Sequence, residues 1–200
     1  MDVVVERIVG RWEQSNAYLL GEPGGPCVVI DPGADARETT AAAARHGMEP
    51  AAVLITHHHW DHVAGLEDLL DRVGRIDVLL HPAEREPAAA LVAGITDVVD
   101  PGDLVRVGDL ELRALGTPGH TAGSLSFHGH GQVFSGDTLY RDAVGGLEGP
   151  GATDEDDLRV SVLDVLLELP DETQLRPGHG EPSTIGRERR RNPAILAWGA

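Results

Sequence analysis

Apolar and polar positions alternate along this chain in short runs broken by Gly, Pro and Asp, a pattern of strands rather than long helices. Four runs, near Val3 to Val9, Ala17 to Leu20, Cys27 to Ile30 and Ala52 to Ile55, predict an early group of strands. Between them, Ala36 to Arg45 is rich in helix formers and stops at His46-Gly47, where glycine can take the left-handed conformation that ends a helix. Val63 to Val73 predicts a second helix. Leu104 to Val107 and Leu110 to Ala114 flank Gly108-Asp109, and Leu125 to His128 and Gln132 to Ser135 flank Gly129-His130-Gly131, so both pairs predict hairpins. Leu158, Val162, Val165, Leu166 and Leu169 share one face at helical spacing and predict a helix from Leu158 to Leu169. The stretch Arg141 to Asp157, with its glycines and acidic run, predicts a mobile surface loop. Two batches of strands with interspersed helices predict an α/β protein in which two mixed sheets face each other beneath outer helices.

Length suits one domain, read as residues 1–200. No apolar run approaches the roughly 20 residues needed to cross a bilayer. The start Met1-Asp2-Val3-Val4-Val5-Glu6-Arg7 lacks a basic region followed by an apolar one, so neither membrane insertion nor secretion is expected. Cys27, the one cysteine, sits in an apolar stretch and predicts a buried thiol in a reducing cytoplasm. The formal net charge of -17 sets 33 acidic residues against 16 basic ones, which argues against a nucleic-acid partner and for a small-molecule substrate. The basic concentration at Arg187, Arg189, Arg190 and Arg191 is expected to cover a helix and pair with the acidic surface. Nothing in the chain signals an oligomeric state.

The chemistry concentrates in His57-His58-His59-Trp60-Asp61-His62, between a strand-like run and a predicted helix. In an extended segment, residues two apart project to the same side, so His57 and His59 can converge on one cation while Asp61 and His62 address another. The plainer alternative is that Asp61 caps the following helix and the histidines are solvated. Three further turns weigh against it: Pro118-Gly119-His120, Ser135-Gly136-Asp137 and Pro177-Gly178-His179 each place a metal-binding residue type after a glycine that lets the backbone bend. His46, His58, His81, His128 and His130 lie outside these patterns and are expected to serve surface or packing roles.

At these motifs the chain resembles the metallo-β-lactamase superfamily, and within it the compact hydrolases similar to glyoxalase II. The resemblance runs from Val28-Val29-Ile30-Asp31-Pro32-Gly33-Ala34 through the histidine motif, Thr117-Pro118-Gly119-His120-Thr121 and Ser135-Gly136-Asp137-Thr138-Leu139 to Pro177-Gly178-His179-Gly180. It implies an αββα sandwich. It also implies two divalent metal ions, one held by His57, His59 and His120, the other by Asp61, His62 and His179, with Asp137 bridging. Asp61 is expected to serve catalysis as well as coordination, and Asp31 to order a loop without acting as a ligand.

Imidazole and carboxylate donors without thiolate suit zinc first, with iron or manganese as alternatives. Two such ions can ionise water near neutral pH and polarise the carbonyl it attacks. The expected activity is hydrolysis of a small acyl substrate, a thioester ahead of others because a thiolate leaves with little acid assistance and no extra acid stands near the motifs. The alternatives are a single-iron persulfide dioxygenase using His57, His120 and Asp137, a lactonase or other hydrolase of this fold, and a non-catalytic metal-binding module.

Overall fold

The structure, a computed structural model, describes residues 3–11 and 13–199. The N-terminal pair of residues, on which part of the leader reading rests, lies outside that range. The first sheet runs β1 (Val4–Val9), β2 (Asn16–Gly21), β3 (Pro26–Ile30), β4 (Glu49–Leu54), β5 (Asp77–Leu80) and β6 (Asp97–Val98) in spatial order. Its first three strands pair antiparallel and the remainder parallel.

The second sheet contains β7 (Leu104–Val107), β8 (Leu110–Gly116), β9 (Leu125–Gly129), β10 (Gln132–Gly136), β13 (Gln174–Pro177) and β14 (Ser183–Thr184), with β13 and β14 beside β10. Only β10 and β13 pair parallel. A small hairpin joins β11 (Leu139–Tyr140) to β12 (Ala143–Val144).

Strand alternation explains the layering. Along β2 to β4, Ala17, Leu19, Cys27, Val29 and Val53 face α1 (Ala36–Arg45) and α3 (Leu66–Val73), while Tyr18, Leu20, Val28, Ile30 and Leu54 meet Leu112, Phe127 and Phe134 of the other sheet. These strands read as continuous apolar runs because both of their faces are covered. On the far side, Val133 and Leu175 pack under Leu158, Val162, Leu166, Ile185 and Ile195. The result is the expected αββα sandwich. Cys27 lies buried in it, and burial pushes its thiol up to about 12.

Three predicted elements need correction. The helix expected over Val63 to Val73 is two, α2 (Trp60–Val63) and α3, because Gly65 lies against the 31–34 loop and donates its N–H to Pro32 O at 2.8 Å. A Cβ there would lie 2.2 Å from Ala34 O. The helix expected from Leu158 begins earlier, as α5 (Glu155–Val160), with Asp154 accepting from Asp157 N. The acidic run is thus its first turn, where the helix dipole favours negative charge. From Ser161 the helix widens to a π turn, Leu167 N–H reaching back to Val162 O at 2.9 Å, and this swings Leu167 into the core while Val165 is only half-buried.

The stretch from Arg141 is the third correction. It includes β12 and then lies across the cluster of histidines instead of running free over the surface. Elements that the pattern does not announce include β5 and α4 (Pro82–Ala89), which are short and, in α4, interrupted by Pro87.

Candidate metal centre

All the predicted site residues gather at one end of the sandwich, where the strands that pair parallel end. Asp31 follows β3, and residues 56–62 follow β4. In the second sheet, Asp137 follows β10, His179 follows β13, and His120 lies in the turn between β8 and β9. Crevices beyond the carboxyl ends of parallel strands are where open sheets commonly bind ligands. A second crevice of about 530 Å³ opens elsewhere between the sheets, lined by residues such as Pro26, Leu79 and Gly108, and includes none of the seven predicted donors.

The seven donors form three overlapping groups: His57, His59 and His120; His57, His62 and Asp137; and Asp61, His62 and His179, each with ligand atoms within 4.8 Å of one another. Asp137 sits between the outer two, its carboxylate 3.3 Å from His62 Nε2, 3.3 Å from His179 Nε2 and 3.6 Å from His120 Nε2. Asp61 Oδ2 lies 3.2 Å from His179 Nε2. Gly178 permits this closeness, since a Cβ on it would sit 2.1 Å from Asp137 Oδ1.

Hydrogen bonds behind the imidazoles decide what faces inward. His59 Nε2 lies 3.0 Å from Pro150 O and His120 Nδ1 2.7 Å from Gly146 O, and a carbonyl can only accept, so both outer nitrogens carry the proton. His62 Nδ1 likewise donates to Asp31 Oδ2 at 3.0 Å. Thr56 Oγ1 gives its own proton to Asp31 and receives that of His57 Nδ1 at 3.0 Å. The inward nitrogens of the neutral rings are therefore lone pairs, and two of them, His59 Nδ1 and His120 Nε2, face each other at 2.9 Å. Two acceptors at that distance repel unless a cation lies between them. His57 Nε2, Asp61 Oδ2 and Asp137 Oδ1 are buried and make no well-formed hydrogen bond. Each such orphan costs about 1–3 kcal/mol. The donor set therefore fits divalent cations.

Electrostatics agree. Burial and the neighbouring His62 hold the His57 imidazole well below its ordinary pKa, leaving it neutral and able to donate electrons. Burial alone would raise Asp137, but His62 and His179 hold its carboxyl well below the usual range. Burial opposes charge on His62 and His179 too, yet the carboxylates around them push His62 well above the ordinary value and His179 up to about 9. The carboxylates thus demand positive charge at the centre of the cluster.

Several residues that support the cluster carry no sequence signal. Ser15 Oγ donates to Asp61 O at 2.6 Å. Asn16 Nδ2 donates to Pro177 O and Gly180 O, both at 2.9 Å, and Tyr18 OH donates to Pro177 O at 2.8 Å, so β2 holds the turn that carries His179. Buried Glu84 accepts from His58 N at 2.9 Å and Gly123 N at 2.8 Å, and its carboxylate also bonds the His58 ring. It ties the loops of His57 and His120 to α4. Tyr140 stands with its ring 6.1 Å from that of His179, and burial and the charge on Asp137 hold its hydroxyl protonated.

Asp31 has the role read from the sequence: its oxygens accept from Thr56 N at 2.7 Å and Thr56 Oγ1 at 2.7 Å, and its backbone takes φ 50. The arginine cluster pairs with acids, Arg187 with Asp142 at 2.8 Å and Arg190 with Asp171 at 2.6 Å.

The family model of the metallo-beta-lactamase superfamily matches residues 10–179. The chain belongs to the metallo-β-lactamase superfamily. It is 37% identical to an uncharacterized protein of Mycobacterium tuberculosis, over 90% of this chain and 92% of that one. It is 34% identical to the hydroxyacylglutathione hydrolase of Vibrio cholerae over 86% of this chain, but spans only 64% of the hydrolase's length. Among solved structures, the BLEG-1 B3 metallo-beta-lactamase superposes with a TM-score of 0.86 at 29% identity, covering 96% of this chain and 99% of that one. ETHE1 from Myxococcus xanthus superposes with a TM-score of 0.83 at 28% identity, covering 97% and 85%. A protein crystallised in a di-iron-bound form gives 0.81 at 34% identity, covering 94% and 99%. Superfamily and relatives together support a metallo-hydrolase. Among the described residues no helix is long and apolar enough to cross a membrane.

Proposed function

We propose that this protein hydrolyses small acyl thioesters with two divalent ions, zinc in preference to iron or manganese. The observation that carries the reading is the set of inward, unpartnered atoms, His57 Nε2, Asp61 Oδ2 and Asp137 Oδ1, at the middle of seven convergent donors. His57, His59 and His120 would hold one ion and Asp61, His62 and His179 the other, with Asp137 shared. Bound there, divalent ions supply an ionised water near neutral pH and polarise the carbonyl under attack.

The chain's own residues do the remaining work. Gly146 O, Pro150 O, Thr56 Oγ1 and Asp31 Oδ2 fix the tautomers of His120, His59, His57 and His62, so the lone pairs stay inward. Asp61 is buried and ionised, with Oδ2 turned into the cluster, which suits it to accept a hydrogen bond from the attacking water and orient it. A thiolate leaves unaided, so protonated Tyr140 is not required as an acid. The partner is a small molecule; nucleic acid would meet the net charge of -17.

Elemental analysis of freshly purified protein, followed by assays with thioesters, lactones and a β-lactam, tests the proposal. Two ions per chain with turnover of a thioester is the expected result. One iron per chain with oxygen consumption would replace it with the persulfide dioxygenase reading, which leaves His59, Asp61, His62 and His179 without a task although they are gathered as closely as the others.

A further inference from the structure

We infer that a trough beside the metal centre seats an apolar, uncharged acyl chain, so that the substrates are neutral acyl thioesters and not anionic conjugates of the glutathione type. The inference rests on the hydrolase reading and narrows it. The trough encloses about 600 Å³, within the range of small-molecule sites, and His59 and Asp61 form part of its wall. A group seated in it therefore lies against the donors.

Beside those donors, Trp60, Pro87, Leu91 and Pro150 give the wall a broad apolar stretch, with Gly149, His58 and Glu13 completing it. Trp60 is 47% exposed and Leu91 43% exposed. Large apolar side chains left open together at the edge of a reactive centre mark a surface that is covered in use. Charge points the same way. Among the described residues the acidic lining is Glu13 and Asp61 and no arginine lines the trough, and the chain contains no lysine. A carboxylate-bearing substrate entering it would lose hydration with no lysine or arginine in the wall to offset the loss, and would face the Glu13 carboxylate. An alkyl chain would instead leave water for Trp60 and Leu91. The reaction adds water across the acyl carbon–sulfur bond: the C–S bond breaks, a C–O bond forms, and a carboxylic acid and a thiol leave.

The test compares acetyl, butanoyl and hexanoyl thioesters of N-acetylcysteamine with S-lactoylglutathione on the metal-loaded protein. The expected kcat/KM rises about fourfold for each methylene buried, with S-lactoylglutathione below the hexanoyl ester. Leu91→Asp, at a half-exposed position where folding is not at risk, flattens the series, the hexanoyl ester losing most and the acetyl ester least. Glu13→Gln raises the relative rate on S-lactoylglutathione. Binding is read separately from turnover, through the indole NMR signal that Trp60→Phe removes, during titration with S-hexyl-N-acetylcysteamine, a thioether with no scissile bond. A shift of that signal without turnover of any thioester would keep the trough and discard the hydrolase reading. Turnover independent of chain length, with no response of the indole signal, would overturn the trough and keep the hydrolase.

Discussion

The two sheets furnish the metal centre in opposite ways. From the first come His57, His59, Asp61 and His62, all on one short segment after β4, where the extended backbone and then α2 already aim them at two adjacent points. From the second come His120, Asp137 and His179, one on each of three separate turns. The first set is local and needs only its own peptide conformation. The second exists as a set only when β8, β9, β10 and β13 are in register and the two sheets have closed. One half of the site is thus written in a short motif, while the other is a product of tertiary assembly.

Variants can probe that contrast, beginning with the residue on which both halves depend. Asp137→Ala removes the carboxylate between His62, His120 and His179. Metal content should fall at both positions and turnover by more than about 10²-fold, beyond the 10–100-fold typical of residues behind a ligand. Elemental analysis and a rate assay read both. Retention of two ions would show that the second sheet's carboxylate is dispensable.

A smaller effect is expected within the first half. Asp31→Asn weakens the acceptor behind His62 and Thr56, and metal affinity should drop about 10–100-fold with the fold intact. Competition with a chelator measures it, and unchanged affinity would mean that His62 is oriented by packing alone. The smallest effect belongs to the strut between the halves. Tyr18→Phe deletes the hydrogen bond to Pro177 O and should cost about 0.5–1.5 kcal/mol of stability, seen in denaturant unfolding, while leaving the His57, His59 and His120 group unaffected.

The same contrast explains what could be read in the sequence. Strands β1 to β4, α1 and both hairpins follow from local alternation and breakers; four donors stand out in one histidine-rich motif, and His120, Asp137 and His179 by residue type after a glycine. Less legible is whatever depends on a distant partner. Gly65 divides a helix only because the 31–34 loop lies against it. Ser15, Asn16 and Tyr18 look like ordinary strand-entrance residues, and their task is set by backbone carbonyls far along the chain. Glu84 reads as one more acid on a short helix, yet it is buried between the loops of His57 and His120. The acidic run before Leu158 looks like a solvated loop because its capping role depends on Asp154 accepting from Asp157 N.

The carbonyls of Gly146 and Pro150 orient two imidazoles while the same segment borders the approach to them. Width of the doorway and grip on the cation are consequently one adjustable quantity. Lifting the segment to admit a bulkier guest would release the rings of His59 and His120 to rotate, and a tighter hold on the ion would narrow the way in. Any redesign for larger substrates has to supply those two acceptors from somewhere else.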